Sequence, residues 1–262
     1  MCKLTLQVVD KNGTVVAQST GEDFTDLAVM RTYEEGDRIL LISSEKNIHL
    51  NWQVDDAIGL AFVYITDDVS YIIPFGEERT SYSPKAFSGN LHYLYVEVAK
   101  PAEVFLYRNL ALNPADQHRD VPCYPHASAN VETRGEAVFA AKNAIDGVRA
   151  NLSHGEWPYA SWGINRQDDA AITIDFGRKI KTDQIVLFTR ADFPHDNWWR
   201  EVSVDFSDGS SETFSLEKSS HAHFLTFKAR KITSLTLCRL IKADDPSPFP
   251  ALTQIQVYGK VV

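Results

Sequence analysis

Two adjacent tryptophans, Trp198 and Trp199, end a polar segment that begins at Arg190. Leaving such rings in water is costly, because burying a large apolar side chain contributes roughly 1.5–3 kcal/mol. Arg190, His195 and Asp196 precede the two rings and can donate or accept hydrogen bonds. A sugar has apolar C–H faces and hydroxyl edges, so flat aromatic surface beside fixed polar groups suits it. The segment therefore predicts one rim of a carbohydrate-binding site.

The roles within this segment stay open at the level of sequence. Strand alternation turns one of Trp198 and Trp199 inward, and the sequence does not say which. Arg190 has the geometry for a bidentate contact with vicinal hydroxyls or a uronate, or for a salt bridge to Asp192 or Asp196. We expect ligand contacts from this segment and retain the structural alternatives.

A second group of candidates lies about forty residues upstream. Four of the five tryptophans of the chain lie between positions 151 and 200, which raises the site above chance. His154 is a candidate hydroxyl partner, as is His195, although a single histidine is more often structural. Trp157, between Glu156 and a proline, is either an exposed stacking platform or a plug that pins the loop.

The composition limits the classes of partner. With 262 residues the chain exceeds the usual size of one domain, so we expect two. Its net charge of −9 disfavours binding to nucleic acid or to anionic membranes, which attract basic surfaces. The sequence has no apolar stretch long enough to span a membrane. We therefore expect no nucleic-acid and no membrane partner.

The cysteines and the N-terminal segment bear on location. Cys2, Cys123 and Cys238 are odd in number and far apart, which is typical of a reducing compartment and excludes a Cys-x-x-Cys metal or redox motif. The first residues alternate like a strand and contain no apolar signal core. The sequence predicts a cytoplasmic protein, or a secreted one if a leader has been removed.

Period-two hydrophobicity predicts an all-β chain with two β-sandwich domains. Leu4, Leu6 and Val8 alternate with more polar neighbours, and an Asn-Gly turn follows. We expect an N-terminal β-sandwich over 1–112, a linker over 113–123 and a second sandwich over 124–262. Further strands are predicted over 38–43, 48–54, 58–66, 70–75, 91–98 and 103–107. Only Glu136–Ile145 has helical spacing, with Thr133 and Glu136 placed as a capping box.

The second half resembles the discoidin family, also called the coagulation-factor type C or galactose-binding-like family. The motifs that carry the resemblance, in order, are Asn-Ala-Ile-Asp-Gly (143–147), Ser-Trp-Gly (161–163), Ile-Thr-Ile-Asp-Phe-Gly (172–177), Gln-Ile-Val-Leu (184–187) and Ala-Leu-Thr-Gln-Ile-Gln-Val-Tyr-Gly (251–259). Each motif alone is weak, and their order and spacing make the resemblance specific. It spans about half the chain, whereas residues 1–112 match no family that we can name.

The resemblance implies a C-terminal jelly roll that binds sugars through loops at one end, as bacterial members commonly do. These loops would follow Gly147, follow Thr189 and precede Ala251, and Trp162 would pack in the core beneath them. The resemblance also implies a structural Ca²⁺. Its ligands would be the Asp146 carboxylate and backbone carbonyls, with Asp146 as a loop cap instead if no ion binds. The backbone ligands expected from the resemblance are those of Asn143, Asn151 and Ala251. Gln254 replaces the usual glutamate, which should weaken this site.

The sequence favours non-catalytic carbohydrate binding. It contains no nucleophile elbow, phosphate-binding glycine loop or zinc-protease motif. A hydrolase would need a carboxylate pair such as Glu156 with Asp196, or Asp192 with Asp244. A lyase or a hydrolase could also use His154 or His195 as base and Tyr159 as acid. The other alternative is an interaction module, in which the first domain docks a partner enzyme or forms a homo-oligomer.

Overall fold

The computed structural model describes residues 1–150, 156–192 and 197–262. Strands account for 49% of the chain and helical turns for 8%, so the prediction of an all-β protein is confirmed. In the described residues the strands are β1 (Lys3–Val9), β2 (Val15–Glu22), β3 (Phe24–Met30), β4 (Arg38–Ser43), β5 (Ile48–Gln53), β6 (Ala61–Ile65), β7 (Val69–Ile72), β8 (Leu91–Val98), β9 (Arg108–Asn109), β10 (Cys123–Tyr124), β11 (His126–Ala129), β12 (Trp162–Gly163), β13 (Ile172–Thr189), β14 (Trp199–Phe206), β15 (Ser211–Ser215), β16 (His223–Lys242) and β17 (Ala251–Val261).

The helical segments are short. They comprise one α-helical turn, α1 (Pro101–Val104), and the 3-10 segments Gly76–Ser81, Thr133–Gly135, Ala137–Phe139 and Ala141–Ile145. In the described part of the chain, no helix is long and apolar enough to cross a membrane.

Two sheets enclose the N-terminal core. One has the order β2-β1-β4-β7 and the other the order β10-β6-β5-β8-β3. Leu4, Leu6 and Val8 are completely buried between them, because successive side chains of a strand point to opposite faces. β1 and β2 form the predicted hairpin, and Gly13 supplies the positive φ of +84° that its turn needs. Period two therefore located this core correctly.

The C-terminal sandwich is built from one continuous eight-stranded network. Its main path is β12-β17-β13-β16-β14-β15, with β11 paired to β13 and β9 paired to β17. β13 contains 18 residues and β16 contains 20, and the register of their pairing shifts along their length. Each of these long strands therefore contributes to both layers of the sandwich. Buried residues such as Ile172, Phe176 and Val257 fill the space between the layers.

The chain crosses between the two sandwiches over residues 108–124. β9 pairs with β17 of the C-terminal sheet, although it precedes the segment 113–123 that we predict as a linker. β10 then returns to pair with β6 of the N-terminal sheet. Within the segment itself, Ala115 and Cys123 belong to the N-terminal core. The crossing segment is therefore packed against both halves.

Three local predictions are wrong. Residues 103–107 form no strand, because Pro101 begins α1 and the Glu103 carboxylate accepts a hydrogen bond from the Lys100 backbone at 2.8 Å. The segment Glu136–Ile145 is not one helix but two 3-10 segments, since Glu136 and Ala140 have extended backbone angles. The predicted capping box is also not formed, because Thr133 Oγ1 accepts from the Asn165 backbone N–H and the Glu136 carboxylate accepts from the Arg134 guanidinium.

Candidate functional site

The strand registers bring several connections to one end of the C-terminal sandwich. Gly163 lies opposite Ala251, Thr189 lies opposite Leu252, and Trp199 lies opposite Lys242. The segments 164–171, 190–192, 197–198 and 243–250 therefore leave the sheet together, and we call them the loop end. Two of the three binding loops that the resemblance implies, those after Thr189 and before Ala251, lie here.

Trp199 is a core residue. It is completely buried, and its ring packs against Trp162 with ring centroids 6.4 Å apart. Trp162 is also fully buried, which confirms its predicted place in the core, and its indole N–H donates to the Val131 carbonyl at 3.0 Å. The prediction that Trp199 contacts a ligand is therefore wrong: β14 begins at Trp199, and strand alternation turns this side chain inward.

Trp198 is the partly exposed member of the pair. Its backbone is fixed on both sides, since its N–H donates to the Asn197 side chain at 2.8 Å and its carbonyl accepts from Ala243 at 2.9 Å. The Lys218 ammonium lies 5.3 Å from the centre of the Trp198 ring and 3.5 Å from the Asp245 carboxylate. An aromatic ring, a cation and a carboxylate thus meet at the surface of the loop end.

Arg190 is buried and structural. Its side chain is 1% exposed, and it donates to the Tyr159 carbonyl at 2.9 Å and to Asp192 at 3.3 Å. Of the alternatives left open by the sequence, the structure has the salt bridge to Asp192. The prediction that Arg190 touches a ligand is wrong, because its guanidinium is buried and contacts Tyr159 and Asp192, which lie in neighbouring loops.

Sequence reasoning missed a cleft of about 170 Å³ beside the loop end. Phe139 and Phe249 line it, with the Arg166 guanidinium 4.4 Å from the centre of the Phe249 ring. Arg134 lies 5.3 Å from the centre of the Phe139 ring on the same wall. Phe249, which lies between two prolines in a predicted binding loop, was the available signal. The arginines come from distant segments and carried none.

Trp157 lies against the N-terminal half. Its backbone N–H donates to the Thr80 carbonyl at 3.0 Å, and its side chain lines clefts together with Tyr82. The backbone of Ala137 also donates to the Glu77 carboxylate at 2.7 Å. We call this contact zone, 76–84 against 137–142 and 156–157, the seam. Trp157 is partly buried in the seam. It therefore has features of both alternatives, since part of its side chain is exposed, as in a platform, and part is packed, as in a plug.

In the structure, the side chain of Gln254 lies among the atoms that the resemblance implies as calcium ligands. Gln254 donates from its amide nitrogen to the Asn143 carbonyl at 2.6 Å and to the Asp146 carboxylate at 2.7 Å. Its amide oxygen accepts from the Gly147 backbone at 3.0 Å, where φ is +88°. Calcium needs six to eight oxygens around one point, and here an N–H₂ group lies between two of them. These residues do not fit a Ca²⁺ ion.

The same loop perturbs Asp146 strongly. Burial raises the pKa of Asp146 to about 7, against the opposing effects of the Val148 hydrogen bond, the positive charge of Lys142 and the Gln254 hydrogen bond. The Val148 backbone donates to the carboxylate at 2.7 Å. Asp146 thus caps its loop, which is the alternative to metal binding. Ala251, the other described backbone ligand, accepts a hydrogen bond from the Arg190 N–H at 2.9 Å.

Four predicted site residues lie outside the described residues: His154 and His195 as hydroxyl partners, Asp196 as a ligand contact, and Asn151 as a backbone metal ligand. Their roles stay predictions. Trp198 is thus the one predicted ligand-contacting residue that the described chain keeps on the surface of the loop end.

The sequence matches no protein-family model and no curated protein. Solved structures similar to this chain include a chitosan-binding module derived from a chitosanase/glucanase of Paenibacillus sp. IK-5. It is 20% identical with a TM-score of 0.41, and the match covers 58% of this chain and 100% of that one. The family 32 carbohydrate-binding module of C. perfringens NanJ, in complex with galactose, is 18% identical with a TM-score of 0.37, covering 50% and 91%.

A histidine mutant of the lectin-binding domain of lectinolysin, complexed with Lewis b, is 16% identical with a TM-score of 0.44. That match covers 60% of this chain and 99% of the other. These three structures have the discoidin-like, galactose-binding-like fold that the C-terminal motifs predict.

Proposed function

We propose that this protein binds carbohydrate without catalysing its turnover, through the loop end of the C-terminal sandwich. The observation that carries the proposal is the position of Trp198. It is partly exposed beside the Lys218–Asp245 ion pair, while its neighbour Trp199 is locked in the core. Trp198 serves as the stacking surface, and the two charged groups fix the hydroxyl pattern of the sugar.

The chemistry of this group suits a pyranose. The C–H face of a sugar ring can cover the free surface of the indole, and the hydroxyls at its edge find a donor in Lys218 and an acceptor in Asp245. Asp245 is held for this role, because the Ser247 backbone donates to its other oxygen at 2.9 Å. A shallow surface site buries little area and stays hydrated, so we expect a modest affinity.

The Phe249 cleft extends the proposed site. It lies at the same end of the sandwich and offers two aromatic rings, each with an arginine stacked on it. Arg134 already donates from Nε and Nη2 to the Glu136 carboxylate, so the edge N–H groups of Arg166 are the donors that this extension assigns to hydroxyl oxygens. An oligosaccharide longer than one residue would use this cleft for its second sugar.

The non-catalytic part of the proposal rests on the carboxylates. Glycoside hydrolysis needs a protonated acid and a second carboxylate facing the scissile bond. Asp192 is instead paired with Arg190, and Asp245 with Lys218. This arrangement is typical of a site that orients hydroxyls.

A second candidate function is protein interaction by the N-terminal sandwich. Phe24 and Met30 of edge strand β3 are 60% and 82% exposed, and Leu91, opposite Met30, is 64% exposed. The exposed apolar pair of Met30 and Leu91 at one end of β3 favours self-association or docking of a partner enzyme. Light scattering of the purified protein and of Met30→Glu tests self-association directly.

A glycan array with and without Ca²⁺ tests the proposal, with wild type and Trp198→Ala compared and any products measured. The proposal expects binding without product, loss of binding in Trp198→Ala, and no dependence on Ca²⁺. Product formation would overturn the non-catalytic role. If no glycan binds, the protein-interaction function is favoured. If wild type and Trp198→Ala bind a glycan equally well, Trp198 is not part of the binding site.

A further inference from the structure

The seam between the two sandwiches contains a second cleft with its own chemistry. An inner cavity of about 100 Å³ is lined by Tyr82, Lys142, Asp146 and Trp157. It adjoins an open cavity of about 360 Å³ that Tyr82 and Trp157 also line. Since one water occupies about 30 Å³ of liquid, the inner cavity is sized for a small polar group and the outer cavity for a sugar ring.

Lys142 places a buried positive charge in the inner cavity. The residue is 6% exposed, and its ammonium lies 4.0 Å from the centre of the Tyr82 ring. Its hydrogen-bond acceptor is the side-chain oxygen of Asn143 at 3.2 Å. Both partners are neutral, and the described residues place no carboxylate within 4.0 Å of this ammonium. Asp146, which lines the same cavity, interacts with Lys142 only at longer range, and Asn143 is the one hydrogen-bond acceptor that the described residues give this ammonium, which has three donors.

The carboxylates that line the same cavity are engaged with other donors. Asp116 accepts from the His126 ring at 2.8 Å and from the Ala127 backbone at 2.9 Å. Asp146 accepts from Gln254 and Val148, as described above. Among the described residues the Lys142 ammonium therefore has no carboxylate in hydrogen-bond contact, and a ligand carboxylate would supply one.

Two aromatic side chains, Tyr82 and Trp157, line the seam cleft. Tyr82 positions the ammonium by lying beneath it, so its face is already covered. Trp157 lines both the inner and the outer cavity, and its backbone is anchored to Thr80. An aromatic ring at the mouth and a cation at the floor match a sugar ring that carries a carboxylate.

We propose that the seam cleft binds a sugar acid, with its carboxylate paired to Lys142 in the inner cavity and its ring against Trp157 in the outer one. This site is separate from the loop end, and it stands on its own residues whether or not Trp198 binds sugar. It gives the junction of the two sandwiches a function as a binding site for uronic acids or similar acidic sugars.

Calorimetric titration of the full chain with glucuronate and galacturonate tests the proposal, with glucose and galactose as matched neutral probes. The proposal expects the acids to bind at least about tenfold more tightly than the neutral sugars. Lys142→Met should abolish that preference, Trp157→Ala should weaken binding of the acids, and Trp198→Ala should leave it unchanged. Lys179→Met, at an exposed lysine, is the matched control for the loss of one positive charge.

Equal affinity for acid and neutral sugars in the wild type would overturn the proposal, as would the absence of any binding of the acids. This comparison needs no variant, so it decides the question even if Lys142→Met fails to fold. Acid binding that survives Lys142→Met and is lost in Trp198→Ala would also overturn it, by assigning the acids to the loop end. Loss of glycan binding in Trp198→Ala with the acid preference intact would support both sites.

Discussion

Trp199 packs against Trp162 in the core of the C-terminal sandwich, with their ring centroids 6.4 Å apart and their planes inclined by 38°. Both rings are completely buried. The preceding residue, Trp198, therefore faces the opposite way and reaches the surface at the loop end. Trp199 is thus a core residue, and Trp198 is the partly exposed residue that we propose for ligand contact.

The first prediction separates these two roles. Trp199→Ala should lower the free energy of unfolding by about 3–5 kcal/mol, because it leaves a large cavity in the core. Trp198→Ala should change it by less than about 1 kcal/mol and abolish glycan binding. Urea unfolding and glycan binding measured on both proteins check this pair. A similar loss of stability in the two variants would contradict the assignment.

The second prediction concerns Gln254 and calcium. In Gln254→Glu a carboxylate replaces the amide that now donates to Asn143 and Asp146, which assembles the oxygen ligands that Ca²⁺ needs. Its melting temperature should fall in EDTA and recover with Ca²⁺. At about 100 times the dissociation constant, the ion adds about 2.7 kcal/mol of stability.

The wild type should melt at the same temperature in EDTA and in Ca²⁺, because the amide already satisfies both acceptors. Gln254→Leu, which has neither donor nor charge, is the control and should be destabilised without any response to Ca²⁺. A wild-type protein that loses stability in EDTA and regains it with Ca²⁺ would restore the metal site implied by the resemblance.

The third prediction follows from the raised pKa of Asp146, from 3.8 to about 7. Between these values the folded protein holds a proton that the unfolded chain has released. The stabilising contribution is therefore fully present below pH 3.8 and is lost as the pH rises through 7. Relative to Asp146→Asn, the wild type should lose about 2 kcal/mol of stability between pH 5 and pH 7. Parallel pH profiles of the two proteins would show that Asp146 does not titrate there.

The fourth prediction tests the buried arginine. Arg190→Met removes the hydrogen bond to the Tyr159 carbonyl and leaves Asp192 without its cation. Breaking a buried ion pair from one side costs about 3–5 kcal/mol, and the 20% exposure of Asp192 places the expected loss near about 3 kcal/mol. Chemical denaturation measures this loss. A change below about 1 kcal/mol would contradict a structural role for Arg190.

Local alternation explains why the strands and the cores could be predicted. Leu4, Leu6 and Val8 are buried as their spacing predicts, and the ordered motifs of the second half predicted a second β-sandwich. The segment 103–107 failed because one proline and one capping carboxylate outweigh a short alternating pattern. Its residues Phe105 and Leu106 are 60% and 56% exposed, so no core drives them into a strand.

The site depended on contacts that sequence spacing does not encode. Which tryptophan turns inward is fixed by the register of β14 against β16. Lys142 and Tyr82 are sixty positions apart in the sequence, and they come into contact only when the two sandwiches pack together. The motif at Gln254 predicted a weakened metal site, and the position of its amide between Asn143 and Asp146 required the folded loop.

The most direct test of carbohydrate binding at the loop end is the NMR signal of the tryptophan indole N–H groups during a sugar titration. The five signals of ¹⁵N-labelled protein can be assigned by single replacement with phenylalanine. We predict that a glycan selected on the array shifts the Trp198 signal progressively and leaves Trp162 and Trp199 in place. A titration in which Trp198 does not move while binding is measured would contradict the central claim.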